Sequence, residues 1–309
     1  MLCHSSEELM AFVKEARSAA KEGKVAEYIP ALAKANPNSL SIAIFYPDGK
    51  CISAGDIDKK MTLQSISKVI SLALVLMDRG EKEVFSRVGM EPTGDPFHSI
   101  GKLETMSPAK PLNPMINAGA LVVTHLLKGK SVEDRLQPLL SFIREMAGDN
   151  RIDYSEEVAL SEYQSSFLNR ALAYFLRQHG VIQEDVEELI DLYTKQCAIE
   201  MNCLELARIG MVFAMDGLDP MRGKQLMPPK VARICKTFMV TCGMYNASGE
   251  FAIKVGIPAK SGVSGGIMGA VPNTFGIGIF GPALNEKGNS AAGTKLLELL
   301  SKTYRLSMF

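Results

Sequence analysis

The stretch Gly266-Ile267-Met268-Gly269-Ala270-Val271, a Pro272-Asn273 turn, and Phe275-Gly276-Ile277-Gly278-Ile279-Phe280 reads as two strands joined by a tight turn. Two strands alone do not make a stable sheet. The chain offers partners at its other end. Leu40-Ser41-Ile42-Ala43-Ile44-Phe45-Tyr46 has strand character, Pro47-Asp48-Gly49 is a hairpin turn signal, and Cys51-Ile52-Ser53-Ala54-Gly55 returns. A further run, Phe251-Ala252-Ile253-Lys254-Val255-Gly256-Ile257-Pro258, alternates and is rich in branched residues, which predicts another strand. Together the two ends supply about five strands. The predicted fold class is α/β of the α+β type. One antiparallel sheet is built from both chain ends and flanked by the first and last helices, over 6–23 and roughly 290–301.

Between these ends the pattern is helical. Spacing predicts helices over 118–127, 132–146, 155–178, 184–201 and 204–215. The chain therefore reads as a single domain over 1–309, with a sheet lobe from about 1–60 and 245–309 and an inserted helical lobe from about 61–244. The functional cleft is expected between the lobes, a usual place for ligands.

Bulk numbers exclude several classes of function. Lys+Arg and Asp+Glu both total 34, so no basic excess invites nucleic acid and no acidic tail suggests disorder. A content of 47% hydrophobic and 22% charged residues is that of an ordinary globular protein. Cys3, Cys51, Cys197, Cys203, Cys235 and Cys242 show no Cys-x-x-Cys spacing, which argues against zinc and redox motifs. Most read as small core fillers. His4, His98, His125 and His179 are scattered without metal-ligand or catalytic spacing, so no metal is expected and no histidine is expected to be catalytic. The N-terminus lacks the basic and apolar segments of an export signal, and the longest near-apolar run, 69–77, is too short to span a bilayer. A cytoplasmic location without membrane contact is the expectation.

Chemistry is concentrated at Gln64-Ser65-Ile66-Ser67-Lys68, which opens the apolar run Val69-Ile70-Ser71-Leu72-Ala73-Leu74-Val75-Leu76-Met77. A Ser and a Lys three apart on a helix share one face. Buried there, the lysine favours its neutral amine and can take the serine proton. Ser-x-x-Lys nevertheless occurs at Ser18/Lys21, Ser65/Lys68, Ser99/Lys102 and Ser107/Lys110, so context must choose. Ser18 lies in a charged helix face. Ser99 and Ser107 lie in a stretch punctuated by Pro92, Gly94, Pro96, Gly101, Pro108, Pro111 and Pro114, which reads as loop. Only Ser65 begins a helix that is apolar nearly all round and ends near Gly80. The bland alternative is a helix cap followed by a lysine.

Lys260-Ser261-Gly262, after Ile257-Pro258-Ala259, resembles the Lys-Ser/Thr-Gly strand that stands beside a Ser-x-x-Lys helix in the penicillin-binding and β-lactamase superfamily. A second ammonium at Lys260 would lower the pKa of Lys68 by repulsion. Longer blocks are more specific. Tyr28-Ile29-Pro30, Gln64-Ser65-Ile66-Ser67-Lys68, Asn113-Pro114-Met115-Ile116-Asn117-Ala118-Gly119-Ala120, Cys242-Gly243-Met244-Tyr245 and Gly256-Ile257-Pro258-Ala259-Lys260-Ser261-Gly262-Val263 together resemble the serine-dependent glutaminases. Glu162, Asn169 and Tyr193 fall between them as in that family, and the likeness runs over about 24–289.

This resemblance implies a β-lactamase/D,D-peptidase-like fold and hydrolysis of L-glutamine to L-glutamate and ammonia. By resemblance Ser65 is the nucleophile, Lys68 its base and Tyr245 a proton relay, with Lys260 in support. The backbone N–H groups of Ser65 and Val263 resemble the oxyanion hole. Tyr28, Gln64, Asn117, Glu162, Asn169, Tyr193 and Tyr245 resemble substrate-binding residues. No cofactor is implied, and the family suggests a homo-oligomer, a dimer or a tetramer.

Read without the resemblance, the three tyrosines could be half-buried aromatics, Asn117 a helix N-cap and Glu162 a solvated helix residue. Glu162 and Asn169 are seven apart, two turns along one helix face, so the two are expected to line one wall. The rival readings are a β-lactamase or D,D-peptidase-like hydrolase and a non-catalytic amino-acid-binding protein of the same fold. Absence of an export signal weighs against the first, and the intact Ser65/Lys68/Tyr245 set against the second.

Overall fold

The computed structural model describes residues 5–105 and 109–309; Cys3, His4, Ser107 and Pro108, each given a reading above, lie outside the described residues. From the N-terminus the elements are α1 (Ser6–Arg17), β1 (Ser41–Phe45), β2 (Cys51–Gly55), β3 (Met61–Thr62), α2 (Ser67–Arg87) and α3 (Gly101–Thr105). The middle holds α4 (Asn117–His125), α5 (Val132–Ala147), β4 (Asp153–Tyr154), α6 (Glu156–Ser165), α7 (Phe167–Gln178), α8 (Val186–Cys197), β5 (Ile199–Met201) and α9 (Cys203–Ala214). There follow β6 (Leu218–Asp219), β7 (Lys224–Gln225), α10 (Pro229–Cys242), α11 (Ser248–Lys254), β8 (Ala259–Ser261), β9 (Gly266–Val271), β10 (Phe275–Phe280) and α12 (Ala291–Tyr304).

Both chain ends do build the main sheet, which is antiparallel with strand order β2-β1-β10-β9-β8. Ile42 lies opposite Ile279 and Ile44 opposite Ile277, so the isoleucines of β1 and β10 share one face. That face packs against Leu9 and Val13 of α1 and Leu296, Leu297 and Leu300 of α12. The opposite face alternates with it and carries Gly276, Gly278 and Ala43. Here the backbone of α9 lies directly on the sheet. A Cβ on Gly276 would fall far inside contact distance of the Met211 nitrogen and the Ala207 oxygen, and one on Gly278 would strike the Cys203 oxygen. Gly276→Ala is therefore expected to cost about 3 kcal/mol of stability, read as a lowered urea midpoint at unchanged slope. An unchanged midpoint would show that the glycine face is not needed.

Several boundaries differ from the expectation. Residues 251–258 are not a strand: α11 covers Ser248–Lys254, and the sheet takes Ala259–Ser261 as its edge instead. Phe251 and Val255, one turn apart, are buried while Ile253 between them is 88% exposed, so a helical face mimicked strand alternation. The helix expected over 155–178 breaks at Ser166 into α6 and α7, and that over 184–201 ends at Cys197 before β5. The first helical segment of α2 does end at Gly80, where the backbone is non-helical (φ 76°, ψ 160°), and a second segment carries on to Arg87. The stretch read as loop contains the short helix α3. A small sheet of order β3-β5-β4, absent from the expectation, ties the entry to α2 onto the exit from α8.

Candidate active site

The turn that carries Ser65 is built between β3 and α2. Leu63 leads into a single 3₁₀ turn, Gln64–Ile66, and α2 begins at Ser67. Gln64 has φ 48°, a left-handed conformation that a residue with a side chain seldom adopts. Neighbours fix it there. Leu63 N–H donates to the Ile199 carbonyl at 2.8 Å, the Ser264 hydroxyl to the Thr62 carbonyl at 2.6 Å, and the Ser67 hydroxyl to the Gln64 carbonyl at 2.7 Å. At Gly262 a side chain would press on the Leu63 carbonyl, so the strand carrying Lys260-Ser261-Gly262 approaches this turn closely.

Ser65 faces a cavity of about 260 Å³ whose lining includes Tyr28, Gln64, Asn117, Glu162, Asn169, Tyr193 and Val263. Thus the cavity brings together residues spread from 28 to 263 in sequence. Lys68, Tyr245 and Lys260 stand behind the lining. Lys68 is 1% exposed, and its Nζ donates to Asn117 Oδ1 at 2.7 Å and to the Met115 carbonyl at 3.1 Å. Burial pushes its pKa down to about 8, against the opposing influence of Cys197 and Glu162. A neutral amine has two N–H groups and one lone pair. Both N–H groups have acceptors here, so the lone pair is left for a proton.

Asn117 is the first helical residue of α4, not its cap; the cap position is Ile116, with no side-chain capping bond. Its amide nitrogen donates to Asn169 Oδ1 at 2.9 Å, so one side chain joins the lysine to the cavity wall. Lys260 is fully buried and its Nζ donates to the Ser261 carbonyl at 2.6 Å. Burial first, and Lys68 second, hold its pKa well below the usual lysine range. Lys260 thus has little charge to offer. Desolvation is the main influence that lowers Lys68, and the mutual repulsion of the two lysines is felt at Lys260.

Tyr245 also has a left-handed backbone, φ 52°. Its hydroxyl donates to the Ser261 carbonyl at 3.2 Å and is hydrogen-bonded to Ser65, while Lys260 Nζ lies 4.5 Å from the ring centroid. Burial raises its pKa, so the phenol keeps its proton. Glu162 is 7% exposed and accepts from Gln64 Nε2 at 3.2 Å. Burial lifts its pKa to about 7, opposed by that hydrogen bond and by Lys68. Glu162 and Asn169 do line one wall, but from two helices meeting at Ser166, not along one face. Tyr193 is 2% exposed and hydrogen-bonded to Cys197. Tyr28 is 60% exposed as a residue yet lines the cavity, and burial of its hydroxyl, with Tyr245 and Glu162 adding to it, raises its pKa.

Cys197, Phe97 and His98 are among the lining residues that the sequence did not mark as part of the site. Cys197 presents a thiol whose pKa burial pushes well up, so it is no nucleophile. Phe97 stacks on Tyr245 with ring centroids 4.6 Å apart, and its carbonyl accepts from Asn117 N–H at 2.8 Å. His98 lines the rim. Neither Phe97 nor His98 belongs to a spacing motif. Of the other Ser-x-x-Lys pairs, Ser18 and Lys21 are both exposed on the surface.

Comparison with known proteins agrees along the whole chain. The family model described as Glutaminase matches residues 23–309. A glutaminase of Geobacillus thermodenitrificans is 70% identical over 309 residues, all of both chains. The structure of a probable glutaminase from Bacillus subtilis complexed with 6-diazo-5-oxo-L-norleucine superposes with a TM-score of 0.91 at 43% identity, covering 100% of this chain and 99% of that one. A covalent complex of a Bacillus subtilis glutaminase with 5-oxo-L-norleucine, formed by reaction with 6-diazo-5-oxo-L-norleucine, gives 0.90 at 43% identity over 98% and 99%. Matched in sequence from residue 23 to its last, and in fold over its full length, this chain belongs to the glutaminase family.

Proposed function

We propose that Ser65 and Lys68 carry the reaction of this glutaminase, the hydrolysis of L-glutamine to L-glutamate and ammonia. The supporting observation is the pair of acceptors on Lys68, which leave its lone pair as the one unused valence of the neutral amine. Lys68 takes the Ser65 proton as Oγ attacks the side-chain carbonyl carbon. Negative charge collects on the carboxamide oxygen, where the backbone N–H groups of Ser65 and Val263 receive it. The carbon–nitrogen bond then breaks, and the departing nitrogen takes a proton relayed through Tyr245 from Lys68. Water attacks the resulting ester with Lys68 again as base, releasing glutamate and restoring Ser65. Glu162 meets the substrate ammonium, while Tyr28, Gln64, Asn117, Asn169 and Tyr193 supply neutral partners to its head group. These steps need no cofactor.

The ligand of the Bacillus structures supports this substrate. Its name describes the glutamine skeleton with a diazoketone in place of the carboxamide, and its reaction leaves a covalent adduct. By family likeness we assign one domain over 1–309, with the lobes described above, working in the cytoplasm as a homo-oligomer, a dimer or a tetramer. Among the described residues no helix is long and apolar enough to cross a membrane.

Ammonia release from L-glutamine, L-asparagine and their D-isomers, measured from pH 6 to 9, tests the proposal. Asparagine is one methylene shorter, which misplaces its carboxamide by about 1 Å and is expected to cost on the order of 10²-fold in kcat/KM. The base must be neutral and the ammonium partner ionised. Lys68 loses its proton above about 8 and Glu162 above about 7, so both changes raise activity as pH rises. The expected profile climbs through both values, and Glu162→Gln removes the lower step while raising KM. A profile flat or falling over this range contradicts the assignment.

A further inference from the structure

Four buried polar side chains stand outside the cavity lining, behind the nucleophile. Ser67 and Ser71 lie on α2, Thr124 on α4 and Gln196 on α8, and none is more than 1% exposed. Gln196 Nε2 donates to Ser67 Oγ at 3.2 Å and to Ser71 Oγ at 3.4 Å, while its Oε1 accepts from Thr124 Oγ1 at 3.4 Å. Each serine passes the contact to the backbone. Ser67 Oγ donates to the Gln64 carbonyl at 2.7 Å, and Ser71 Oγ to the Lys68 carbonyl at 3.3 Å. One amide on α8 is thus connected through two hydroxyls to the carbonyls that flank the Ser65–Lys68 segment.

Stability alone does not call for an amide at this place. Its neighbours Leu192, Cys197 and Ile199 belong to the apolar core, and a buried amide costs desolvation that a leucine of similar volume would avoid. What an amide supplies is direction. A serine hydroxyl on a helix has several carbonyls within reach, and a donor arriving at its lone pair leaves its proton for one of them. Left-handed Gln64 is also a conformation that persists only where its surroundings over-determine it. We infer that Gln196 is a positioning residue for the nucleophile. It aims Ser67 at the Gln64 carbonyl, so that the turn holds Ser65 Oγ toward the substrate, and it ties that turn to α8. Tyr193, one turn earlier on α8, lines the substrate cavity.

The inference rests on Ser65 being the nucleophile, and Gln196→Leu tests both in one experiment. Steady-state kinetics on L-glutamine are measured alongside the rate at which 6-diazo-5-oxo-L-norleucine labels Ser65, followed by peptide mass spectrometry. We expect kcat and the labelling rate to fall together by about tenfold, with KM within about twofold, because the reacting atom is misaimed while the binding wall is intact. The thermal midpoint stays within about 4 °C. Values of kcat and labelling within twofold of the parent overturn the inference, as does a loss confined to temperatures near a lowered midpoint. A parent enzyme that is not labelled at Ser65 overturns the nucleophile assignment, and this inference with it. If Gln196→Leu does not fold, Ser67→Ala removes the same contact and is expected to show the same tenfold fall. Where both variants fold, Gln196→Leu/Ser67→Ala falls no further than either single change; a product of the two effects overturns the inference.

Discussion

Ser65→Ala ends ammonia release from L-glutamine and leaves the binding of L-glutamine in place. Without Oγ there is no atom to form the acyl-enzyme, and water has no base-activated route to the carboxamide. The expected loss in kcat is about 10⁴-fold or more, equivalent to about 5 kcal/mol or more on the barrier. The backbone N–H of residue 65 survives the substitution, as do the walls formed by Tyr28, Asn117, Glu162, Asn169 and Tyr193. Calorimetry should therefore find a dissociation constant for L-glutamine within about threefold of the parent's, since ground-state contacts are kept. The hydrogen bond to Tyr245 is lost, costing about 1 kcal/mol of stability. Activity within tenfold of the parent would mean that another group makes the attack.

Lys68→Met separates chemistry from structure. Methionine fills similar space but has no base, so kcat should drop by about 10³-fold. Two effects on stability oppose each other. Removing a buried amine relieves its desolvation, while Asn117 Oδ1 and the Met115 carbonyl lose their donor. The net change is expected within about 2 kcal/mol in urea unfolding. The variant's residual activity should also lack the rise near pH 8, because the group whose lowered pKa produced it is gone. Lys68→Arg restores nothing, since a guanidinium does not deprotonate at these pH values. A variant that unfolds yet keeps its turnover per folded molecule would show that Lys68 is structural.

Helix context alone picked out Ser65 from its look-alikes, because burial decides what a lysine can do and an apolar run announces burial. The lysine is 1% exposed and the serine 8%. The sheet was legible for the same kind of reason: Gly266–Val271 and Phe275–Phe280 form a hairpin, and β1 completes it from the far end of the chain. Other parts were hidden by tertiary effects. Phe251 and Val255 fit a strand's alternation as well as a helix's turn, and only packing shows that Ile253 faces out. The break at Ser166 has no glycine or proline to announce it; its hydroxyl caps the Glu162 carbonyl at 2.7 Å instead. The sequence brought two lysines together but could not show that burial is the larger influence on Lys68. Phe97 joins the site by folding alone, whereas Cys197, one turn after Tyr193 on α8, could have been found from that spacing.

The isoleucine and glycine sides of β10 have a consequence for how the strand carrying Lys260 and Ser261 finds its place. Sliding β10 by one residue against β1 would turn isoleucines onto the backbone of α9 and leave glycines facing α1 and α12. Such a slip is rejected twice, by collision on one side and by a void on the other. Wrong pairings are thereby eliminated during folding without any residue of the catalytic centre taking part. Since β10 pairs with β9 and β9 with β8, this proofreading reaches Lys260, Ser261 and the Val263 amide beyond them. The alignment of the Val263 amide with Ser65 is settled by an alternation of bulk some distance from either.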